Sequence, residues 1–520
     1  MIRLESYLAG RWQSGDGAGA TLADPTTGEA LAAASSDGLD LAGALDFARA
    51  QGTALRAMTF AERGAMIEAI AGALKAQRAS YVDIAVANSG NTQTDAAIDI
   101  DGGIGTLLYF AKFGKTLGDA RIMRDGAPQR LARDENFQGL HLLVPRRGVA
   151  VHINAFNFPS WGLWEKAGVA LLAGMPVLAK PAVSTVWLAQ KMVADVVAAG
   201  AVPDGALSIL CGSPGDLLDH LDWQDVVSFT GSAATALKLR ASPQVLAHSV
   251  PLNVEADSLN GMVLGPDIAA GSPEFETFVK DVARELTVKA GQRCTAVRRI
   301  FVPVSVADAL SDALAARLAG VTVGNPRSEG VRMGPVVSKA QQAAALAGIA
   351  ELKRDAKLLC GGNAGTGLVD ADAASGAFIA PTLFRAEAAA ERVHELEVFA
   401  PVATLIPYDT EETLFALAAK GGGSLVLSAL SGDIQFLQRL AIELAHAHGR
   451  LMAIDPSVAA SHTGHGNVLP SCIHGGPGRA GGGEELGALR GLKFYQQRSA
   501  IQASAATLSG LCEAAAPLTL

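Results

Sequence analysis

Cysteine is scarce in this chain: 520 residues include only 5, at Cys211, Cys294, Cys360, Cys472 and Cys512. Their number is odd and their spacing wide, and no CxxC or Cys/His cluster has metal-ligand spacing. Neither a disulfide framework nor a metal centre is therefore implied. Basic residues are outnumbered, 42 against 51 acidic ones, for a net charge of −9. Such a chain lacks the basic stripe that nucleic-acid binding requires, so an anionic ligand must be met by local donors such as helix N-termini. Long apolar runs are missing too. The longest, Ala167 to Ala179, is broken by Gly168, Gly174 and Pro176 and is too short to span a bilayer. Residues Met1 to Ser6 contain no apolar leader. These absences point to a soluble protein of a reducing compartment, the cytoplasm, with no membrane or nucleic-acid partner.

What is present suits a large enzyme. Apolar residues make up 49% of the chain, ample for a core, and the length implies about two to three domains. After short strands and turns around Gly10-Arg11-Trp12 and Asp24-Pro25-Thr26-Thr27-Gly28, an alanine-rich helical pattern runs from Leu39 past Val86. Alternation then begins, with strands expected at Gly148–Ile153, Pro176–Ala179, Leu207–Leu210 and Asp225–Phe229. Helices are expected at Trp161–Leu172, Thr185–Ala199 and Asp216–His220. That order implies a parallel, doubly wound sheet with ligands at the C-terminal ends of its strands. A second alternating series, containing Arg299–Pro303, runs from about Val263 to Val458. The glycine-dense stretch from Gly464 to Gly491 has little regular pattern and is expected to thread across the surface. Within it Gly476 to Gly481 fits G-x-G-x-x-G, but no strand precedes it and no βαβ unit can follow, so it reads as a structural loop.

The chemistry concentrates in loops. Gly291-Gln292-Arg293-Cys294-Thr295 sets a thiol among small and polar neighbours, as a nucleophile requires. Val254-Glu255-Ala256 offers a lone carboxylate, a ready general base if burial lifts its pKa toward neutrality. Asn154-Ala155-Phe156-Asn157-Phe158-Pro159, Lys180-Pro181-Ala182-Val183-Ser184, Phe229-Thr230-Gly231-Ser232 and Glu397-Val398-Phe399-Ala400-Pro401 occupy further turns, mostly after expected strands. Each alone has an ordinary explanation: a turn-capping amide, a solvated lysine, an N-cap serine, a surface glutamate.

In this order they are not ordinary. The set, with Gly324-Asn325-Pro326, Met333-Gly334-Pro335 and Ala380-Pro381-Thr382-Leu383, resembles the aldehyde dehydrogenase superfamily over nearly the whole chain. The resemblance implies an α/β fold: a Rossmann-like cofactor domain (1–119 and 146–256), an α/β catalytic domain (257–460) and a small β oligomerisation element (120–145 and 488–510). It implies a homo-oligomer, with a dimer favoured, in which Leu492–Gln497 forms a bridging strand. It implies that Cys294 attacks the aldehyde carbon, that Asn157 and the Cys294 backbone N–H hold the oxyanion, and that Glu255 activates the water that hydrolyses the thioester. Cofactor contacts are implied for Ile153, Phe156, Lys180, Ser184, Gly212, Gly215, Phe229, Thr230, Gly231, Ser232, Glu397 and Phe399, and no metal is implied.

Two departures refine that expectation. Many NAD-preferring relatives carry a glutamate three residues after the lysine, where its carboxylate pairs with the 2′-hydroxyl of the adenosine. Here the position is Val183, followed by Ser184, which favours NADP, with NAD an alternative. The run after the base, Glu255-Ala256-Asp257-Ser258-Leu259-Asn260, replaces the usual Glu-Leu-Gly-Gly-Lys. With Cys294-Thr295-Ala296-Val297-Arg298-Arg299 and His474 to Glu485, it looks like the branch that oxidises a CoA-linked semialdehyde in aerobic benzoate breakdown. Because the chain ends soon after these motifs, a stand-alone enzyme is expected rather than one fused to a hydratase. The alternatives are a general aliphatic or aromatic aldehyde dehydrogenase, a CoA-acylating one, and a non-catalytic structural member of the family.

Overall fold

The computed structural model describes residues 1–518. Its framework is two 7-stranded sheets. The first is ordered Leu252–Glu255, Val226–Thr230, Ala150–Ile153, Val177–Lys180, Leu207–Ile209, then Ser6–Leu8 and Arg11–Gln13. Its pairings are parallel as far as Leu207–Ile209, and the two N-terminal strands close the edge antiparallel. The strands that form the parallel part are near-continuous apolar runs, as burial on both faces demands. Helices sheath both faces. Trp161–Ala173 and Val186–Ala198 pack in one apolar cluster, and Leu41–Gln51 in another.

Strand order reverses on either side of Ala150–Ile153. The chain moves outward through Val177–Lys180 in one direction and through Val226–Thr230 in the other. A crevice opens at the C-terminal ends of strands at such a switch point. It falls between the loops Asn154–Asn157 and Thr230–Ser232.

The second sheet is ordered Lys357–Cys360, Thr382–Arg385, Val402–Tyr408, Arg299–Pro303, Gly261–Leu264, Ser424–Leu430, His448–Ile454, and only the first pairing is antiparallel. A separate 4-stranded sheet joins Gln496–Ser504, Phe137–Pro145, Ile122–Arg130 and Ala515–Pro517. Among the described residues no helix is long and apolar enough to cross a membrane.

Three local expectations fail. Leu492–Gln497 is not a strand: Leu489–Phe494 is a helix and the strand starts at Gln496. Leu489 and Leu492, one helical turn apart, are both buried, and Gly491 is pressed toward Val169, so packing on a neighbouring helix overrides the alternation. The Asp216–His220 helix is a single 3₁₀ turn, Leu217–His220. The stretch 464–491 runs over the surface only in part, with Leu469, Ser471 and Cys472 exposed. It forms the hairpin Ile473–Gly475 with Glu484–Leu486 and buries His465, Gly466, His474, Gly475, Gly476 and Ala480.

Candidate active site

Cys294 is reached through an unusual backbone. Lys289, Ala290 and Gly291 have φ of 53°, 51° and 68°, three left-handed residues in a row. Side chains from several segments over-determine this path. Lys289 N–H donates to Asp95 Oδ2 (3.1 Å), and Val337 N–H donates to Gln292 Oε1 (3.0 Å). The Arg298 guanidinium donates to the carbonyls of Gly291 (2.8 Å) and Ala400 (2.7 Å). Beyond the sulfur, Asn260 Nδ2 donates to the Cys294 carbonyl (2.7 Å) and to that of Ala296 (3.0 Å). The segment is held from both sides by bonds that a surface loop would not have.

Glu255 ends the edge strand Leu252–Glu255. The hairpin pins that strand in place: Ala256 N–H donates to the Ala480 carbonyl (2.9 Å), and Gly483 N–H donates to that of Val254 (3.1 Å). The same hairpin delivers His474. Its Nε2 lies 3.2 Å from Glu255 Oε2 and 4.0 Å from Cys294 Sγ. Thiol, carboxylate and imidazole thus come together within 4.8 Å from positions far apart in sequence.

Their ionisation does not match the neutral-range base expected from Glu255 alone. Burial would raise its carboxyl, but the charge and hydrogen bond of His474, then Lys166 and Cys294, hold it at about 2. Burial, followed by the Glu255 charge, pushes the Cys294 thiol well above its ordinary value. Burial opposes the charge on His474, yet Glu255 and Glu165 outweigh it and raise the imidazole. These shifts all favour a resting trio of thiol, carboxylate and imidazolium.

A buried charge cluster lies behind it. Lys166 Nζ is 3.0 Å from Glu485 Oε2 and 3.4 Å from Glu165 Oε1. Glu485 Oε1 accepts from Ser228 (2.8 Å) and Asn253 (3.0 Å). Burial, with Glu485 adding to it against the pull of Lys166, raises Glu165 to about 7.

Two hollows meet at this point. A small one of about 40 Å³ is walled in part by Phe158, Trp161, Glu165, Thr295, Val468 and His474. A large cleft of about 510 Å³ runs out over the first sheet. Asn154, Asn157, Thr230, Glu255 and Cys294 line both.

The cleft gathers most of the proposed cofactor contacts: Ile153, Phe156, Lys180, Phe229, Thr230, Gly231, Ser232, Glu397 and Phe399. Three of the proposed contacts do not line it. Ser184 sits in the 3₁₀ turn Val183–Thr185, its carbonyl taking a bond from Asn88 (2.9 Å). Gly212 packs on Ser36, and Gly215 lies beside Leu41.

The cleft's donors and acceptors fit a dinucleotide. Lys180 is buried, its ammonium discouraged by that burial, and among the described residues no carboxylate pairs with it. Thr230 Oγ1, both amide atoms of Asn154 and Glu397 Oε1 are buried without hydrogen-bond partners. Such groups cost free energy unless a ligand meets them. Ser232 already caps the helix Ala233–Arg240 through Thr235 N–H. Phe156 stands edge-on to Phe399, centroids 5.7 Å apart. Glu397 Oε1 is 3.5 Å from Arg298 Nε, an ion pair rather than a hydrogen bond, and burial lifts the carboxyl to about 7 against that pull.

The aldehyde dehydrogenase family profile matches residues 12–499. The chain belongs to the aldehyde dehydrogenase family. A 3,4-dehydroadipyl-CoA semialdehyde dehydrogenase of Aromatoleum evansii is 56% identical over 479 residues, 92% of this chain and 93% of that one. A non-phosphorylating aspartate-semialdehyde dehydrogenase of Halomonas elongata is 27% identical over 502 residues, 95% and 96% of the two chains. The NAD+ complex of an aldehyde dehydrogenase from Bacillus cereus superposes with a TM-score of 0.82 at 22% identity, covering 97% of each chain. The aldehyde dehydrogenase fold expected from the motifs is therefore the fold present, and the chain is an oxidoreductase acting on aldehydes.

Sequence reading missed the role of His474 and the Glu165–Lys166–Glu485 cluster. A signal existed for the second. Trp161–Ala173 is otherwise apolar and buried, and a Glu-Lys pair in its middle has to be met by partners in the interior.

Proposed function

We propose that this dehydrogenase oxidises 3,4-dehydroadipyl-CoA semialdehyde to the corresponding acid, with NADP as the preferred oxidant. The observation that carries the substrate is the 56% identity over nearly the full length of both chains to an enzyme named for that aldehyde. Cys294 attacks the aldehyde carbon. The Asn157 side-chain amide and the Cys294 backbone N–H hold the developing oxyanion, a contribution of about 3–4 kcal/mol per donor in other acyl-transfer sites. A nicotinamide bound in the cleft supplies the hydride acceptor. Lys180 and Ser232 hold the adenosine and pyrophosphate portions, and Glu397 and Phe399 fix the nicotinamide end. Loss of hydride leaves a thioester on Cys294, and Glu255 takes a proton from the water that hydrolyses it.

NADP preference rests on Val183, which puts no carboxylate opposite a 2′-phosphate and leaves Lys180 free to pair with it. The cofactor domain spans 1–119 and 146–256, the catalytic domain 257–460, and the element built from 120–145 and 488–510 joins subunits of a cytoplasmic dimer. Steady-state rates with the CoA-linked semialdehyde, its free acid and a simple alkanal, each with NAD and NADP, test substrate and cofactor together. The CoA thioester with NADP should give the highest kcat/KM. Equal values for all three aldehydes would remove the CoA-specific assignment, and formation of an acyl-CoA from added CoA would remove the hydrolytic step.

A further inference from the structure

The reading of Cys294 as nucleophile leaves a charge problem that the structure addresses with a residue not yet given a role. Thiol ionisation beside a buried carboxylate moves a negative charge from one group to the other, and a low-dielectric site does not tolerate that charge unpaired. His474 Nε2 is 3.2 Å from Glu255 Oε2 and 4.0 Å from Cys294 Sγ, and the imidazole is buried. The other buried cations nearby are already paired, Arg293 with Glu285 and Lys166 with Glu485 and Glu165.

We propose that His474 is a positioning residue, an imidazolium that serves as counter-ion first to the Glu255 carboxylate and then to the Cys294 thiolate. The S–H bond breaks, the proton passes to a Glu255 oxygen and leaves by the cleft that Glu255 lines before Glu255 acts on the hydrolytic water, and the imidazolium keeps an anionic partner throughout. No net charge is created in the buried site, and no co-reactant is needed. Oε1 of Glu255 is buried and without a partner, and is the oxygen that takes the proton. Raised protonation of His474, already noted, supports this without carrying it.

The groups that face His474 are Glu255, Cys294, Glu165 and Arg450, with Lys166 behind Glu165. Glu255 and Glu165 favour its charge and Arg450 opposes it. The inference rests on Cys294 being the nucleophile, so the test separates the two. The rate at which iodoacetamide alkylates Cys294 is followed against pH in cofactor-free protein. It is scored on the peptide that contains residue 294, because Cys472 is exposed. The thiolate is the reacting form. In His474→Gln and His474→Phe the inflection should move up by about one unit or more, an alkylation rate about tenfold lower at neutral pH. In Glu255→Gln, which removes the competing anion, it should move down. Inflections in both His474 variants within about 0.3 unit of wild type, well under the one-unit scale of a lost charge partner, would overturn the proposal, whatever the Glu255 variant does. A Cys294→Ala protein that still oxidised aldehyde would instead overturn the reading on which it rests.

Discussion

Replacing Gly291 by alanine tests whether the nucleophile loop and the Glu397–Phe399 segment are held at a fixed separation. The φ of 68° is one that alanine adopts at a cost of about 1–2 kcal/mol. Lys289 and Ala290 already bear that conformation, so it does not decide the outcome. Space does. A Cβ at Gly291 would lie 2.5 Å from the Ala400 carbonyl carbon and 2.6 Å from Pro401 Cα. Both are backbone, so the two strands of chain must part by about 1 Å to reach ordinary contact. The Arg298 guanidinium bonds to both at once, to Gly291 at 2.8 Å and Ala400 at 2.7 Å. Bonds to a charged donor are worth about 1.5–3 kcal/mol each. Losing one of them and adding the backbone cost gives a destabilisation of about 2.5–5 kcal/mol. A displacement of that size near reacting atoms lowers turnover about 100-fold. Gly72 is the control: it is exposed within the helix Phe60–Ala76, and nothing lies within 4 Å of its missing Cβ. Gly72→Ala should stabilise the protein by about 0.5–1 kcal/mol. Melting curves and kcat for the two variants are the assay. A Gly291→Ala enzyme that melts with wild type and turns over within about twofold of it, against the 100-fold expected, would refute the wedge.

Removing Lys166 as Lys166→Met should cost about 3–5 kcal/mol in thermal unfolding, because Glu165 and Glu485 are left buried without their cation. The double variant with Glu485→Gln should recover part of that loss. The folded-state pKa of Glu397, about 7, lies above its ordinary 4.5, so the folded protein keeps a proton the unfolded chain has released. Stability from this group is therefore full below about pH 4.5 and falls as pH rises to about 7, by about 3 kcal/mol. Glu397→Gln should flatten the decline of melting temperature between those limits, and an unchanged slope would count against the buried, half-protonated carboxyl. Val183→Glu should raise the KM for NADP by about 10- to 100-fold, the effect of about 1–3 kcal/mol of repulsion, and spare NAD.

The alternation from Ala150 to Thr230 was legible because buried parallel strands are apolar runs between helices, and each run announces itself locally. The Gly291–Thr295 and Asn154–Pro159 loops were legible as chemistry for the same reason: their residues are neighbours in sequence. His474 was not. Its partners Glu255 and Cys294 lie on other elements, and it sits in a glycine-dense run whose lack of side-chain pattern suggested an exposed thread. The low pKa of Glu255 was equally out of reach, since a carboxylate's ionisation depends on cations that only folding supplies. Leu492–Gln497 misled in a different way. Its alternation is real, but the docking of Leu489 and Leu492 on a neighbouring helix decided its shape.

The hairpin that carries His474 is fastened by backbone meeting backbone. A Cβ at Gly475 would strike Gly483, one at Gly449 would strike Gly475, and one at Gly481 would strike Val254. Glycine surrenders more freedom on ordering than any other residue, so this segment sets its closest contacts against the steepest entropic cost. Local opening should begin there while both large sheets stay intact. Loosening that one strap would carry His474 away from Glu255 and Cys294 before heat or denaturant dismantles the molecule.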